Sequence, residues 1–167
     1  MATELHIDLP TLSSDQNDYR SIIENDVLSI LESVAQDNIK VQKYYKTANE
    51  QIYTDCMNIV QSVPGWLFRT KKVDSENYTP NEKVDSLTAR IEVINAVPVR
   101  LEKGVHNVDR YAYTMDVLCR EALRDNPIKT IPRNRRRPYI YLGNRDIFRD
   151  DDIDILLSEF NVEFIEV

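Results

Sequence analysis

Glycine is scarce in this chain, with three residues in 167. Tight β-hairpins are turned most easily by residues at positive φ, so the shortage argues against a hairpin-rich chain and favours helices. Cysteine is scarcer still, and Cys56 and Cys119 stand far apart in segments of helical pattern, so both read as reduced, small core residues rather than a disulfide or metal motif. No apolar run approaches the roughly 20 residues that span a bilayer. MATELHIDLP has neither a basic n-region nor an apolar h-region, which leaves the cytoplasm as the expected compartment and Asn77-Tyr78-Thr79 as an idle sequon. A Gly-rich phosphate loop, a nucleophile elbow and a paired-cysteine motif are all missing. His6 and His106 have no ligand-spaced partners. The expectation is a non-enzymatic protein without cofactor or metal.

What the chain does have is ordinary globular material. Hydrophobic residues at 42% and charged residues at 29% fit one domain large enough to bury a core. From Ser13 to Val63 neither Gly nor Pro interrupts an apolar stripe formed by Ile23, Val27, Ile30, Val34, Val41, Tyr45, Ala48, Ile52, Cys56, Ile59 and Val63. Its mean repeat of about 3.6 residues is that of a straight α-helix. Ser13-Ser14-Asp15-Gln16 offers a capping box, Asp37-Asn38 the only break before Pro64, and the span reads either as an antiparallel pair of long helices or as one long helix. Before it, Leu5, Ile7 and Leu9 alternate up to Pro10 as an extended arm or edge strand.

Pro64-Gly65 ends the second helix, and Leu67 to Val73 reads as a short strand. Thr79-Pro80-Asn81-Glu82 opens a third helix continuing through Val84, Leu87, Ile91 and Ile94. Residues 89–101 fit a strand equally well, with Ile91, Val93, Val97, Val99 and Leu101 on one face, and period alone does not choose. Asn107 caps a fourth helix whose stripe is Val108, Tyr111, Met115, Leu118 and Ala122. Tyr139 to Leu142 and Val162 to Val167 read as short strands, with a helix from about Asp151 to Phe160 between them. The expected fold is therefore mainly α: an antiparallel bundle of about four long helices, with a small β element near the C-terminus. The alternative is α+β with a central sheet. The helical core would span residues 1–127, and residues 128–167 would form a charged docking segment of the same domain.

The net charge of −7 disfavours a general nucleic-acid binder, but it is unevenly placed. Lys129 to Arg145 holds six positive charges and no acid, whereas Asp150 to Val167 holds seven negative side chains and no base. Arg133, Arg135, Arg136 and Arg137, followed by Tyr139 and Tyr141, form a candidate partner-docking surface with incidental DNA contact. Asp150, Asp151 and Asp152 form the opposing candidate, and they read as complementing a helix dipole rather than binding a metal.

At Gln61-Ser62-Val63-Pro64-Gly65-Trp66-Leu67-Phe68 a helix runs into a Gly-Trp-apolar-Phe turn. This stretch, with the chain length, helix order and basic proline-bounded tail, resembles the head-to-tail adaptor proteins of short-tailed bacteriophages. The resemblance implies a virion protein, made in the host cytoplasm, that forms a ring of its own copies against a portal-like partner. Two other readings stand beside it. One is a tail-tube terminator or other tail component, which requires Ile91 to Leu101 and Val162 to Val167 to be strands of a central sheet. The other is a small acidic cytoplasmic regulator that binds one protein through its Arg loop.

Overall fold

The computed structural model of the chain describes residues 10–11, 18–44, 52–60, 63–77, 85–99, 111–125 and 138–166. Among these the elements run α1 (Tyr19–Ala35), β1 (Lys40–Lys43), α2 (Ile52–Ile59), β2 (Gly65–Asn77), β3 (Asp85–Pro98), α3 (Tyr111–Asp125), β4 (Ile140–Arg149) and β5 (Ile153–Glu166). The five strands form one mixed sheet in the order β1-β2-β3-β5-β4. β1 pairs with β2 in parallel, and the other neighbours are antiparallel. The fold is α+β, which corrects the expectation of a mainly helical bundle.

The expected pair of long helices over residues 14–63 is replaced by a helix, a strand and a short helix. α1 ends at Gln36, which takes a positive φ of 50°, and the chain then enters β1 beside Gly65 to Phe68. α2 is the crossover between two parallel neighbouring strands, the connection such a pair requires. The N-cap of α1 is Asp18, whose carboxylate accepts from the Ser21 amide at 3.2 Å and the Ser21 hydroxyl at 2.7 Å. The Ser13 to Gln16 capping box, the Leu5 to Leu9 arm, Tyr78 and Thr79 of the sequon, the Thr79 to Glu82 start, His6, His106 and Asn107 lie outside the described residues, while the sequon's Asn77 ends β2.

The expected third helix is strand from Asp85 onward, and the expected helix from Asp151 to Phe160 is strand from Ile153 onward. The physical reason is burial on both faces. One face of the sheet packs Trp66, Phe68, Ile91, Val93, Leu156 and Phe160 against α1 and α3. The other packs Leu67, Ile94, Ala96, Ile155 and Leu157 against Ile52, Cys56 and Val60 of the α2 segment. Strands covered on both faces become near-continuous apolar runs and lose the alternation that marks a half-buried strand.

Where β1 stops, α1 takes over its role. Tyr44 donates its amide to the Phe68 carbonyl, and two residues on Thr70 presents its backbone to the same edge with no strand beside it among the described residues. Arg20 donates to the Thr70 carbonyl at 2.6 Å, and buried Glu24, one turn later on α1, accepts from the Thr70 amide at 3.1 Å. An i, i+4 pair on a helix thus completes the edge of a sheet.

Candidate functional site

The residues singled out in the sequence divide three ways. Arg133, Arg135, Arg136 and Arg137 lie outside the described residues. Tyr139 and Tyr141 turn their phenols inward. Tyr139 is 2% exposed and donates to Asp26 on α1 at 2.9 Å, with burial first and the Asp26 charge second pushing its pKa well above the phenol range. Tyr141 is half-buried, and its hydroxyl meets Asp116 on α3 at 2.8 Å. Burial and that carboxylate raise its pKa to about 12.

Asp150, Asp151 and Asp152 form the turn between β4 and β5, correcting the expected helix N-terminus. Asp150 Oδ1 accepts from the Asp152 amide at 2.8 Å and the Ile153 amide at 2.9 Å, and the Asp150 amide donates to the Ile153 carbonyl at 3.0 Å. Those two backbone donors hold the Asp150 carboxyl below the usual carboxylate range. A side-chain acceptor therefore turns this hairpin, so it needs no glycine. Asp151 and Asp152 are exposed.

Asp116 is the hub that fixes α3 to the sheet. Its buried carboxylate accepts from Ser158 on β5 and from Tyr141 and Asn144 on β4, the last at 2.9 Å. Behind Ser158 the chain of donors continues: Asn95 donates to the Ser158 hydroxyl at 2.7 Å, and the Trp66 indole donates to Asn95 at 2.9 Å. Asn95 also donates to the Leu156 carbonyl at 3.1 Å. Each donor from Trp66 to Ser158 finds its acceptor, and the series ends on the Asp116 carboxylate, so the buried network is satisfied along its length. It ties together four strands and one helix. Because a one-residue slip turns every side chain to the other face, this network also fixes the sheet register.

Among the described residues β4 is the outermost strand on that side and pairs with β5 alone. Two bulges interrupt it, between Tyr141 and Gly143 and between Asp146 and Phe148. Ile140 opposite Asn161 lies on the α2 face of the sheet, because its neighbour Tyr141 opposite Phe160 lies on the other. α2 docks further along, where Tyr53 meets Phe148 edge to face at 5.0 Å. Ile140 is left 46% exposed, and Leu142, the extra residue of the first bulge, 43% exposed. The opposite edge, β1, is only four residues long and carries Lys40 and Lys43. Short length and lysines blunt an edge against pairing. The two edges are therefore unlike: one short and cationic, the other long with exposed apolar side chains.

Among the described residues no cluster of His, Cys, Asp and Glu could hold a metal ion, and no helix is long and apolar enough to cross a membrane. The chain matches no known protein-family model and no curated protein. Gly65-Trp66-Leu67-Phe68, the stretch that carries the adaptor resemblance, opens strand β2. Trp66, Asn95, Asp116 and Ser158 do not show as a unit in the sequence, because they are far apart along the chain and meet only through strand pairing and the docking of α3. Asp116 carried one signal: it sits next to Met115 in the core stripe of its helix.

Proposed function

We propose that this chain is a non-enzymatic structural subunit of a bacteriophage particle, a tail-tube terminator or other tail component that closes into a ring with its own copies. The observation that carries the proposal is the central sheet. The terminator reading needed strands over Ile91 to Leu101 and Val162 to Val167, and of these residues 91–98 and 162–166 lie in the strands Asp85–Pro98 and Ile153–Glu166, which pair along their whole length, while residues 100, 101 and 167 lie outside the described residues. The adaptor reading implied a helical bundle, and the sheet weighs against that form of connector. The unlike edges of the sheet give further support. A ring is built from heterologous contacts, each copy offering two different surfaces, and a sheet with one cationic and one apolar edge has two.

In this reading the partners are copies of the chain and a portal-like or tail protein, and the protein resides in the virion after synthesis in the host cytoplasm. Any DNA contact through the Arg133 to Arg137 stretch is incidental in this reading. Immunoelectron microscopy of particles made from a genome carrying this gene tests the proposal. Label at one site on each particle, at the junction of head and tail, is the expected result. Particles that assemble fully without the chain, which stays in the unassembled fraction, would refute it.

A further inference from the structure

We propose that the free edge of β4 around Ile140 to Asn144 receives, as an added strand, the segment Glu4 to Leu9 of a neighbouring copy. The proposal rests on the ring-forming reading and names the contact that would close the ring.

The acceptor side is built from what the fold leaves open. Among the described residues β4 pairs only with β5, so alternate backbone groups along its other side have no strand partner there. Tyr141 and Asn144 are anchored from the inside by Asp116, so the edge is held in place while no described strand covers its outer side. Ile140 and Leu142 stand exposed beside it. The bulge at Leu142 limits how far a partner strand can run in register, which suits a short segment rather than a long sheet edge.

The donor side is in the sequence. Leu5, Ile7 and Leu9 recur at spacing two and stop at Pro10, which has no amide to donate. Laid along β4, the three apolar residues of such a strand share the face of Ile140. Glu4, His6 and Asp8 then fall on the face of Tyr141, where the Arg120 guanidinium lies 5.1 Å from the Tyr141 ring centroid. Two acidic side chains thereby meet a cation. Main-chain pairing supplies affinity in such strand addition, and the alternating side chains supply specificity. The segment comes from a neighbour because a ring requires a donor and an acceptor at different places on each subunit. From Leu9 to Tyr19 the chain extends at most about 35 Å, enough to cross to an adjacent subunit.

The test is disulfide trapping between singly substituted full-length chains. Ile7→Cys and Leu142→Cys proteins are mixed in equal amounts and oxidised with copper phenanthroline, with Ile140→Cys as a second acceptor. Cys56 and Cys119 are buried with their thiol pKa values raised, so they stay silent. The expected result is a covalent dimer in the mixture whose linked peptide joins positions 7 and 142, and a ladder of multimers when both substitutions are in one chain. Wild-type-sized rings without that peptide would overturn the added strand and leave the ring reading standing. Monomers without the peptide would overturn both. A bond formed only within single chains of the double variant would overturn the exchange between neighbours.

Discussion

At Asp116 a carboxylate withdrawn from water accepts hydrogen bonds from Ser158, Tyr141 and Asn144. Asp116→Ala leaves those hydroxyl and amide groups facing a void, and the loss of stability should be about 2–4 kcal/mol, read as a lower urea midpoint at unchanged slope. Trp66 is the single tryptophan, fully buried, and its fluorescence reports the transition. A midpoint unmoved by Asp116→Ala would show that the network contributes nothing. The thiols give a second check. Burial raises the Cys56 pKa to about 12 and that of Cys119 well above the thiol range, so a disulfide reagent at pH 8 should label neither until the chain unfolds. Rapid native labelling of either would place it at the surface.

Asp150 ties a pH dependence to the hairpin. Its folded pKa lies below the unfolded value of 3.8 because the Ile153 and Asp152 amides donate to the carboxylate. The turn's contribution is therefore fully present above about pH 4 and is lost as the pH falls through the lower, folded pKa. Amide resonances of Asp152 and Ile153 should titrate together below pH 4 in wild type. They should show no such titration in Asp150→Asn, whose amide oxygen still accepts both bonds.

Among the elements, β3 and β5 lie between two packed layers, and this sets both their sensitivity and how they read in the sequence. Val93→Asp on β3 or Ile30→Asp on α1 places an unpaired carboxylate in a site no more than 4% exposed. That costs several kcal/mol against a total of roughly 5–15, so both variants should lack a cooperative thermal transition, whereas a charge at exposed Leu142 should leave it intact. A folded Val93→Asp protein would mean β3 is not the interior strand described here. Gly143 sits in the β4 bulge at φ 123° with open space around its α-carbon, so Gly143→Ala meets backbone strain rather than a clash. About 1 kcal/mol of destabilisation is expected, again by urea midpoint.

The sequence made some of these elements plain and hid others for identifiable reasons. α3 was legible because Met115 and Ala122 face the core while Tyr113, Val117 and Glu121 face outward, the one-sided stripe of a surface helix. The strands at Leu67 to Val73 and Tyr139 to Leu142 were legible too; the first proved part of a longer strand, and the second, from Ile140 onward, opens another. Ile153 to Phe160 misled because Ile153, Ile155 and Leu157 face α2 while Leu156 and Phe160 face α1 and α3, so an interior strand resembled a helix. The stripe from Ile23 to Val63 crossed three elements by coincidence of spacing: Val34 on it is 38% exposed, while Leu31 and Ala35 off it are buried. The scarcity of glycine misled as well, since Asp150 turns its hairpin with a side chain. Of the candidate docking residues, Asp151 and Asp152 are exposed as a docking role needs, whereas Tyr139 is structural and its partner Asp26 lay over a hundred positions away in sequence.

The molecule as a whole carries its charge in blocks, with the Lys129 to Arg145 stretch before the acidic Asp150 to Val167 stretch. Exposed ion pairs are individually weak and screened over about 8 Å at physiological salt, so the blocks matter for assembly only across a desolvated contact between copies. Reversing Arg135, Arg136 and Arg137 to Glu should leave far-UV circular dichroism unchanged while abolishing sedimentation of the chain as an oligomer. Oligomers of wild-type size in physiological salt would remove the Arg block from the interface.

Whether the chain assembles by itself bears most directly on all of this, and sedimentation velocity of the purified protein followed by negative-stain electron microscopy of the heaviest species answers it. A single sedimenting oligomer that appears as closed rings of uniform diameter is the expected result. A chain that stays monomeric across the accessible concentration range, with no rings on the grid, would contradict a ring-forming structural subunit and would favour the small acidic regulator instead.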